Sequence, residues 1–228
     1  MAHAGAPEGT IVLAESQHKG KGRMGRTWVS PQGGGIYLSV VLRPRILPEE
    51  VQKLTLVAAV ALAFTLRHFG IISHIKWPND ILVNGKKVAG ILMELTTKAK
   101  LIDFVIVGIG VNVNTSMDEL PLSIRNLATS INMFTDQPVQ RREIIQVLLL
   151  QLERWYEQFL TGSFEMVLEA WKQLSNTLGA RVTVILSDAK LKGVAEAVDS
   201  HGSLMVRDGN GKLHKVIAGD VVHCWSLP

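Results

Sequence analysis

The sequence predicts an α/β (α+β) protein in two parts. A mixed β-sheet with packed helices is expected over residues 1–177 and a small all-β barrel over residues 178–228. Three observations carry this. Up to about residue 177, short β-branched or apolar runs alternate with stretches of helical character. From Ala180 onward five short alternating runs are separated by turns such as Asp199-Ser200-His201-Gly202 and Asp208-Gly209-Asn210-Gly211. The 228 residues are 47% hydrophobic and 19% charged, which describes a globular chain with material for a substantial core.

Taken in order, Thr10-Ile11-Val12-Leu13-Ala14 is a short β-branched strand that leads into a glycine-rich basic loop. Ile36–Leu42 is mostly apolar and reads as a central strand. Pro48-Glu49-Glu50 opens a helix, with proline and acids in its first turn and Gly70 just past its end. Ala58, Ala59, Ala61 and Ala63 make that helix narrow enough to lie close on a sheet. Ile75–Val83 and a partner from Lys87 to Leu95 flank Asn84-Gly85, a strong hairpin signal. Leu101–Val113 is a further strand, with Gly108 and Gly110 as breaks where a ligand or another backbone comes close. Arg141–Leu160 and Ser163–Leu174 are amphipathic helices. The barrel strands are Arg181–Leu186, Gly193–Val198, Ser203–Val206, Lys212–Ile217 and Val221–Trp225.

Composition excludes several classes of function. The net charge is +4, but no run of five basic residues exists, so the chain favours anionic small ligands over nucleic acid. Cys224 is the only cysteine, which removes a disulfide framework and fits a reducing cytoplasm. The seven histidines lack metal-ligand spacing, and His223 and Cys224, as strand neighbours, point to opposite faces. No signal peptide is visible, and the apolar run Leu54–Leu66 is too short to span a bilayer, so a soluble protein without a membrane partner is expected.

Four segments could carry chemistry. Gly20-Lys21-Gly22-Arg23-Met24-Gly25-Arg26-Thr27 fits G-x-G-x-x-G, and fits the P-loop pattern except for Arg26 in the lysine position. Both motifs need a helix directly afterwards, because its free N–H groups hold the phosphate. Pro31 and Gly33-Gly34-Gly35 argue against one, and Arg43-Pro44-Arg45 stands where a Rossmann acid belongs. What remains is a loop that approaches a ligand closely, with Gln17 at its root and Lys21, Arg23 and Arg26 supplying charge for an anion; the alternative is a solvated basic loop. Lys76-Trp77-Pro78-Asn79-Asp80 is either an extended segment that presents Lys76, Asn79 and Asp80 rigidly or a turn stabilised by Asn and Asp. In Lys86-Lys87-Val88-Ala89-Gly90, one lysine must alternate inward beside small residues, or both lie in water at the hairpin mouth. In Gly108–Asn114, Asn112 either hydrogen-bonds a nucleotide or caps the strand.

Together and in this order, GKGRMGRTW at Gly20–Trp28, KWPNDIL at Lys76–Leu82, GKKVAGILMEL at Gly85–Leu95 and GIGVNVN at Gly108–Asn114 closely resemble the biotin–protein ligases. The resemblance implies the class II synthetase-like biotin/lipoate ligase fold, with an SH3-like barrel at the C-terminus. It implies that biotin's carboxylate attacks the α-phosphate of ATP, giving biotinyl-adenylate, and that a lysine of a biotin carboxyl carrier domain then takes the biotinyl group. By similarity, Arg23, Lys87 and Asp80 would be catalytic. Gln17, Gly20, Lys21, Gly22, Arg23, Lys87 and Gly90 would line the biotin site, and Arg23, Arg26, Trp28, Lys76, Asn79 and Asn112 the ATP side. Mg2+ would be held by ATP phosphates and not by a protein-only cage.

Two departures accompany the resemblance. The family carries a Ser-Thr-Asn motif on a helix before the first strand, and Met1–Gly9 holds none of those residues. The chain thus reads as N-terminally shortened, and a catalytically weak biotin binder is one alternative. No helix-turn-helix is seen, so DNA binding is not expected. A lipoate or octanoate ligase is the other alternative, and edge pairing of sheets offers a route to a homodimer.

Overall fold

The computed structural model describes residues 1–135, 139–162, 164–186 and 189–223. The expected helix start at Ser163 and the expected strand end at Cys224 and Trp225 lie outside the described residues. Six strands form the first sheet: β1 (Ile11–Ala14), β2 (Gly35–Leu42), β3 (His74–Lys76), β4 (Asp80–Val83), β5 (Lys86–Lys98) and β6 (Leu101–Asn112). Their order is β1-β2-β6-β5-β4-β3, so the apolar β2 is indeed interior. Its ladders are antiparallel, and parallel pairing enters through the single bridges Ile75–Ser175 and Lys87–Ala128.

The helices α1 (Val51–His68), α3 (Arg141–Leu160) and α4 (Phe164–Leu174) all cover the same face of this sheet. α1 crosses the middle, where Ala58, Ala59, Ala61 and Ala63 are fully buried and let its axis sit close to the strands. α3 lies beside it toward β2 and α4 toward β3, with Phe64 of α1 stacked on Trp155 of α3 at 5.4 Å. Leu54, Leu56, Leu62 and Leu66 are almost completely buried. Each contributes about 1.5–3 kcal/mol by leaving water. One sheet face is therefore filled by helices, and the long helices leave the other uncovered.

Two sequence expectations need correction. Ile75–Val83 is not one extended run: the chain reverses at Trp77-Pro78-Asn79, where the Trp77–Pro78 peptide is cis, and Lys76 pairs with Asp80 across a tight hairpin. The backbone turns there, but the Asn79 side chain bonds to Ile91 and Arg23 and the Asp80 side chain to Lys87, not to the turn itself. Gly108 and Gly110 do not break their strand, since β6 runs through both. The Asn84-Gly85 turn is as expected, with φ of 48° and 74° at its two central residues, the signature of a type I′ hairpin.

A short helix α2 (Leu122–Arg125) lies in the loop after β6 and was not legible in the sequence. The C-terminal strands β7 (Arg181–Ile185), β8 (Lys190–Val198), β9 (Leu204–Arg207), β10 (Leu213–Val216) and β11 (Asp220–His223) pair in the order β10-β9-β8-β7-β11. All of their ladders are antiparallel, and among the described residues none joins β10 to β11. Val182, Val184, Ala195, Leu204, Val206 and Val221 fill the inner side. No helix of the described residues is long and apolar enough to cross a membrane.

Trp77 joins the two sheets. Its side chain is 1% exposed, its Nε1–H donates to the Gly202 carbonyl at 3.0 Å, and its backbone N–H donates to Thr177 Oγ1 at 2.9 Å. Gln52 of α1 adds bonds to the Gly202 and Ile217 carbonyls at 3.3 and 2.7 Å. At the other end, Arg43 clasps the N-terminal segment by donating to the carbonyls of Ala2, Ala6 and Asp103. Trp77→Phe removes one buried donor and leaves a small void, so unfolding free energy is expected to fall by about 1–3 kcal/mol. Chemical denaturation measures this, and an unchanged midpoint would deny Trp77 its joining role.

Candidate active site

The open sheet face can be read row by row, because residues directly opposite one another on neighbouring strands share a face. One row runs Ala14, Tyr37, Gly110, Gly90, Asp80, Lys76. The next, two residues along, runs Val12, Ser39, Gly108, Leu92. Three glycines therefore leave the middle of the floor as bare backbone. Above it lies a cavity of about 820 Å³.

The Gly20–Thr27 loop forms one wall. Gly22 N–H donates to the Arg26 carbonyl at 2.7 Å, and Trp28 N–H to the Gly20 carbonyl at 2.9 Å, closing a tight irregular loop. A single helical turn at Arg23–Gly25 ends at once, with no helix after it, as the sequence required. Gly20 faces away from the cavity: a Cβ there would stand 2.3 Å from the Trp28 carbonyl oxygen. A side chain is thus excluded at Gly20, whose backbone carbonyl closes the loop onto Trp28 N–H.

Trp28 leaves the loop and lies on the glycine floor. A Cβ at Gly110 would be 2.6 Å from Cε2 and Nε1 of its indole, and one at Gly90 3.2 Å from Cζ3. The indole N–H is buried and has no hydrogen-bond partner among the described residues. Lys87 Nζ sits over this ring, 5.4 Å from its centroid, and 2.6 Å from Asp80 Oδ1.

A bulge aims Lys87. Gly90 opposes Asp80 and Ala89 opposes Ile81, but Leu82 opposes Lys87, so β5 carries one extra residue there. Strict alternation would give Lys86 the face of Gly90; the extra residue gives it to Lys87 and leaves Lys86 exposed. The Lys87 backbone is fixed as well, its N–H donating to Leu127 O at 2.8 Å and its carbonyl accepting from Thr129 N–H at 2.9 Å. Asn112 donates from Nδ2 to Thr129 O at 3.0 Å and so holds that segment in place. Leu120, Ile124 and Leu127 of this segment form the opposite wall of the cavity.

Charge completes the site. Arg23 donates to Asn79 Oδ1 at 3.1 Å and to Gly219 O at 3.2 Å. Burial lowers the Arg23 pKa, opposed by the charges of Asp220 and Asp80. Arg26 pairs with Asp220 at 2.6 Å. Burial alone would raise the Asp220 carboxyl, but the bond and charge of Arg26, with Lys76 and Arg23, more than offset it and hold the carboxyl below its ordinary value. This pairing is complete above the ordinary value of 3.8 and fades as pH falls below it. Lys21 reaches Glu94 at 2.8 Å at the cavity mouth, and both are well exposed.

Of the residues singled out in the sequence, Gln17, Lys21, Gly22, Arg23, Arg26, Trp28, Lys76, Asn79, Asp80, Lys87, Gly90 and Asn112 all line this one cavity. Asp220, Gly219, Glu94 and the Leu120–Leu127 wall were missed. Nothing local marks them, because each reaches the site through the fold. The arrangement suits an elongated ligand with an apolar body against Trp28 and the open backbone at Gly108, and an anionic end among Arg23 and Lys87. Fixed cations of this kind stabilise charge developing in acyl or phosphoryl transfer. Gly110→Ala is expected to lift Trp28 off the floor and weaken ligand binding at least about tenfold, with a modest stability loss of about 1–3 kcal/mol. Intrinsic tryptophan emission and ligand titration test this, and unchanged binding would contradict the floor assignment.

Comparison with known proteins gives the family. Residues 1–112 match the model of the biotin/lipoate A/B protein ligase family, and residues 177–224 that of the biotin protein ligase C terminal domain. The bifunctional ligase/repressor BirA of Bacillus spizizenii is 36% identical, over 97% of this chain and 68% of that protein. The biotin–[acetyl-CoA-carboxylase] ligase of Paracoccus denitrificans is 35% identical, over 88% of this chain and 85% of that one. Biotin protein ligase from Aquifex aeolicus, solved with biotin and ATP, superposes with a TM-score of 0.82 at 29% identity, covering 97% of this chain and 91% of that structure. A folded likeness along nearly the whole chain, with identity above 30% to named ligases, places the protein: it belongs to the biotin/lipoate protein ligase family.

Proposed function

We infer that the chain is an ATP-dependent biotin–protein ligase, in which residues 1–177 form the catalytic domain and 178–228 a C-terminal domain. The observation that carries this is the Lys87–Asp80 pair over the Trp28 ring, in one cavity with Arg23. In the first step a carboxylate oxygen of biotin attacks the α-phosphorus of ATP, the bond to the β-phosphate bridge breaks, and pyrophosphate leaves. Two anions must meet, so the barrier is largely electrostatic. Lys87 and Arg23 lower it by holding positive charge where the reacting oxygens gather.

In the second step a carrier lysine amine attacks the acyl carbonyl of biotinyl-adenylate, and AMP leaves with the electrons of the cleaved bond. Asp80 is the base for that amine. While Lys87 pairs with Asp80 the carboxylate is occupied; once the adenylate takes the Lys87 ammonium, Asp80 is released toward the incoming nucleophile. Arg26, Trp28, Lys76, Asn79 and Asn112 form the nucleotide side, with Asn79 acting through Arg23.

Mg2+ would arrive on the ATP phosphates and would offset part of their charge there. The protein partner is a biotin carboxyl carrier domain, and the cytoplasm supplies both that carrier and ATP. The open edge of β1, with Ile11, Val12 and Leu13 exposed, offers a route to a homodimer by strand pairing.

Lys87→Ala is expected to lower biotin-dependent ATP–pyrophosphate exchange by about 10³-fold or more while circular dichroism stays native. Wild-type exchange in the folded variant would remove Lys87 from catalysis. Exchange driven by lipoate and not by biotin in the wild-type chain would overturn the substrate itself.

A further inference from the structure

We propose that Arg125 is a positioning residue for the reaction: it braces the loop between Thr115 and Ser130 from inside, and that loop holds the Lys87 backbone where its ammonium acts. This rests on the reading of the chain as a biotin ligase. Lys87 stands where the sheet itself gives it little support. β6 pairs with β5 only from Ala89 onward, and the ladder from β4 shifts register between Ile81 and Leu82. On the β6 side, the neighbour of Lys87 is therefore the loop. The contact is a parallel bridge to Ala128, made of the bonds to Leu127 and Thr129.

The loop is a closed unit with a buried neck. Thr115, Thr129 and Ser130 are no more than 1% exposed, and Thr115 N–H donates to Ser130 Oγ at 3.0 Å. The Thr115 hydroxyl donates to Gly34 O at 2.9 Å, which ties the neck to the start of β2. Farther out, Leu122 and Leu127 are 79% and 66% exposed, so apolar burial contributes little to the shape of the loop. Polar bonds set it instead. Arg125 supplies three: Nη1 donates to Asp118 Oδ1 at 3.0 Å, and Nη2 to the carbonyls of Asp118 and Leu120 at 3.0 and 3.2 Å. Its Nε is buried without a partner among the described residues, so the root of the guanidinium lies inside the loop.

A planar fork suits this task, because one rigid group spans two carbonyls and a carboxylate. The brace joins the arm at Asp118–Leu120 to α2, and α2 leads directly to the bridge on Lys87. Leu127 and Ala128 N–H both donate to Ile124 O, at 2.9 and 3.0 Å. Without the brace the loop gains backbone freedom, and the Lys87–Leu127 bond opens more often. A charge-stabilising group misplaced by about 1 Å costs on the order of a hundredfold in rate. Arg125 itself is not among the described residues that line the cavity. Its effect on the reaction runs through Lys87.

The test uses the full chain. In biotin-dependent ATP–pyrophosphate exchange, Arg125→Ala is expected to lower kcat about thirtyfold, with less than about a threefold change in the KM for biotin. In amide hydrogen exchange followed by NMR, the Lys87 and Thr129 N–H groups should lose protection by about tenfold or more. The Ile91 N–H, bonded to Asn79 O, should keep its protection. Arg125→Lys keeps the charge without the fork and should restore part of both. Asp118→Ala removes one exposed arm of the brace and should lower kcat only about threefold. Should Arg125→Ala fail to fold, Arg125→Lys and Asp118→Ala carry the comparison, and wild-type kcat and protection in both overturn the proposal. A wild-type kcat in folded Arg125→Ala, or a lowered kcat with the Lys87 N–H still protected, also overturns it. Absence of biotin-dependent exchange in the wild-type chain overturns the ligase reading instead, and the amide protection then still decides whether Arg125 holds Lys87.

Discussion

A lysine ammonium brought over a glycine floor and onto a carboxylate is the constraint around which the rest of the site is organised. Lys87 is about one-third exposed there, and Asp80 meets its charge at 2.6 Å. The geometry asks three things of the fold. β5 must carry an extra residue, so that Lys87 and not Lys86 faces the ligand. Gly90 must lack a side chain, since a Cβ there would press on the Lys87 stem at 3.1 Å. The β3–β4 turn must put Asp80 directly across from Gly90. The segment at Leu127–Thr129 then pins the lysine backbone from the other side, and Asn112 holds that segment. A local sequence device and a long-range contact both converge on one amino group.

The two sheets depend on each other at the same place. Trp77 sits in the turn that aims Asp80, and its indole is anchored to Gly202 of the C-terminal sheet. Arg23 and Arg26, the charges of the glycine loop, find Gly219 and Asp220 at the start of β11. A loop of three glycines and three cations would otherwise have large conformational entropy and strong self-repulsion. Partners from the small domain offset both. The C-terminal domain is thereby part of the site's geometry, and any motion of it relative to the sheet would move Arg23 and Arg26 with it.

Much of the fold was legible because its signals are local. Strand alternation, the Asn84-Gly85 turn and the alanine-rich α1 each follow from neighbouring residues. Strand alternation left Lys86 and Lys87 open and the resemblance pointed to Lys87; the bulge is the physical reason that Lys87 faces the cleft. Gly110 was read as a break in a strand; it is continuous β6, and its missing side chain makes room for Trp28. Lys76–Asp80 was open between an extended segment and a turn, and the pairing of β3 with β4 chose the turn. Gly20 must lack a side chain for the loop to close against the Trp28 carbonyl.

By itself the sequence determined the order of elements, the change of pattern near Ala180, and the charged glycine loop that no helix follows. Those depend on backbone propensity and side-chain periodicity over a few residues, which a linear reading can count. The tertiary structure decided which lysine faces the cleft, and that Asp220 and Glu94 meet the loop. These contacts join residues up to 194 positions apart. Electrostatic pairing falls off within a few ångströms, so only a fold that closes those distances can make them.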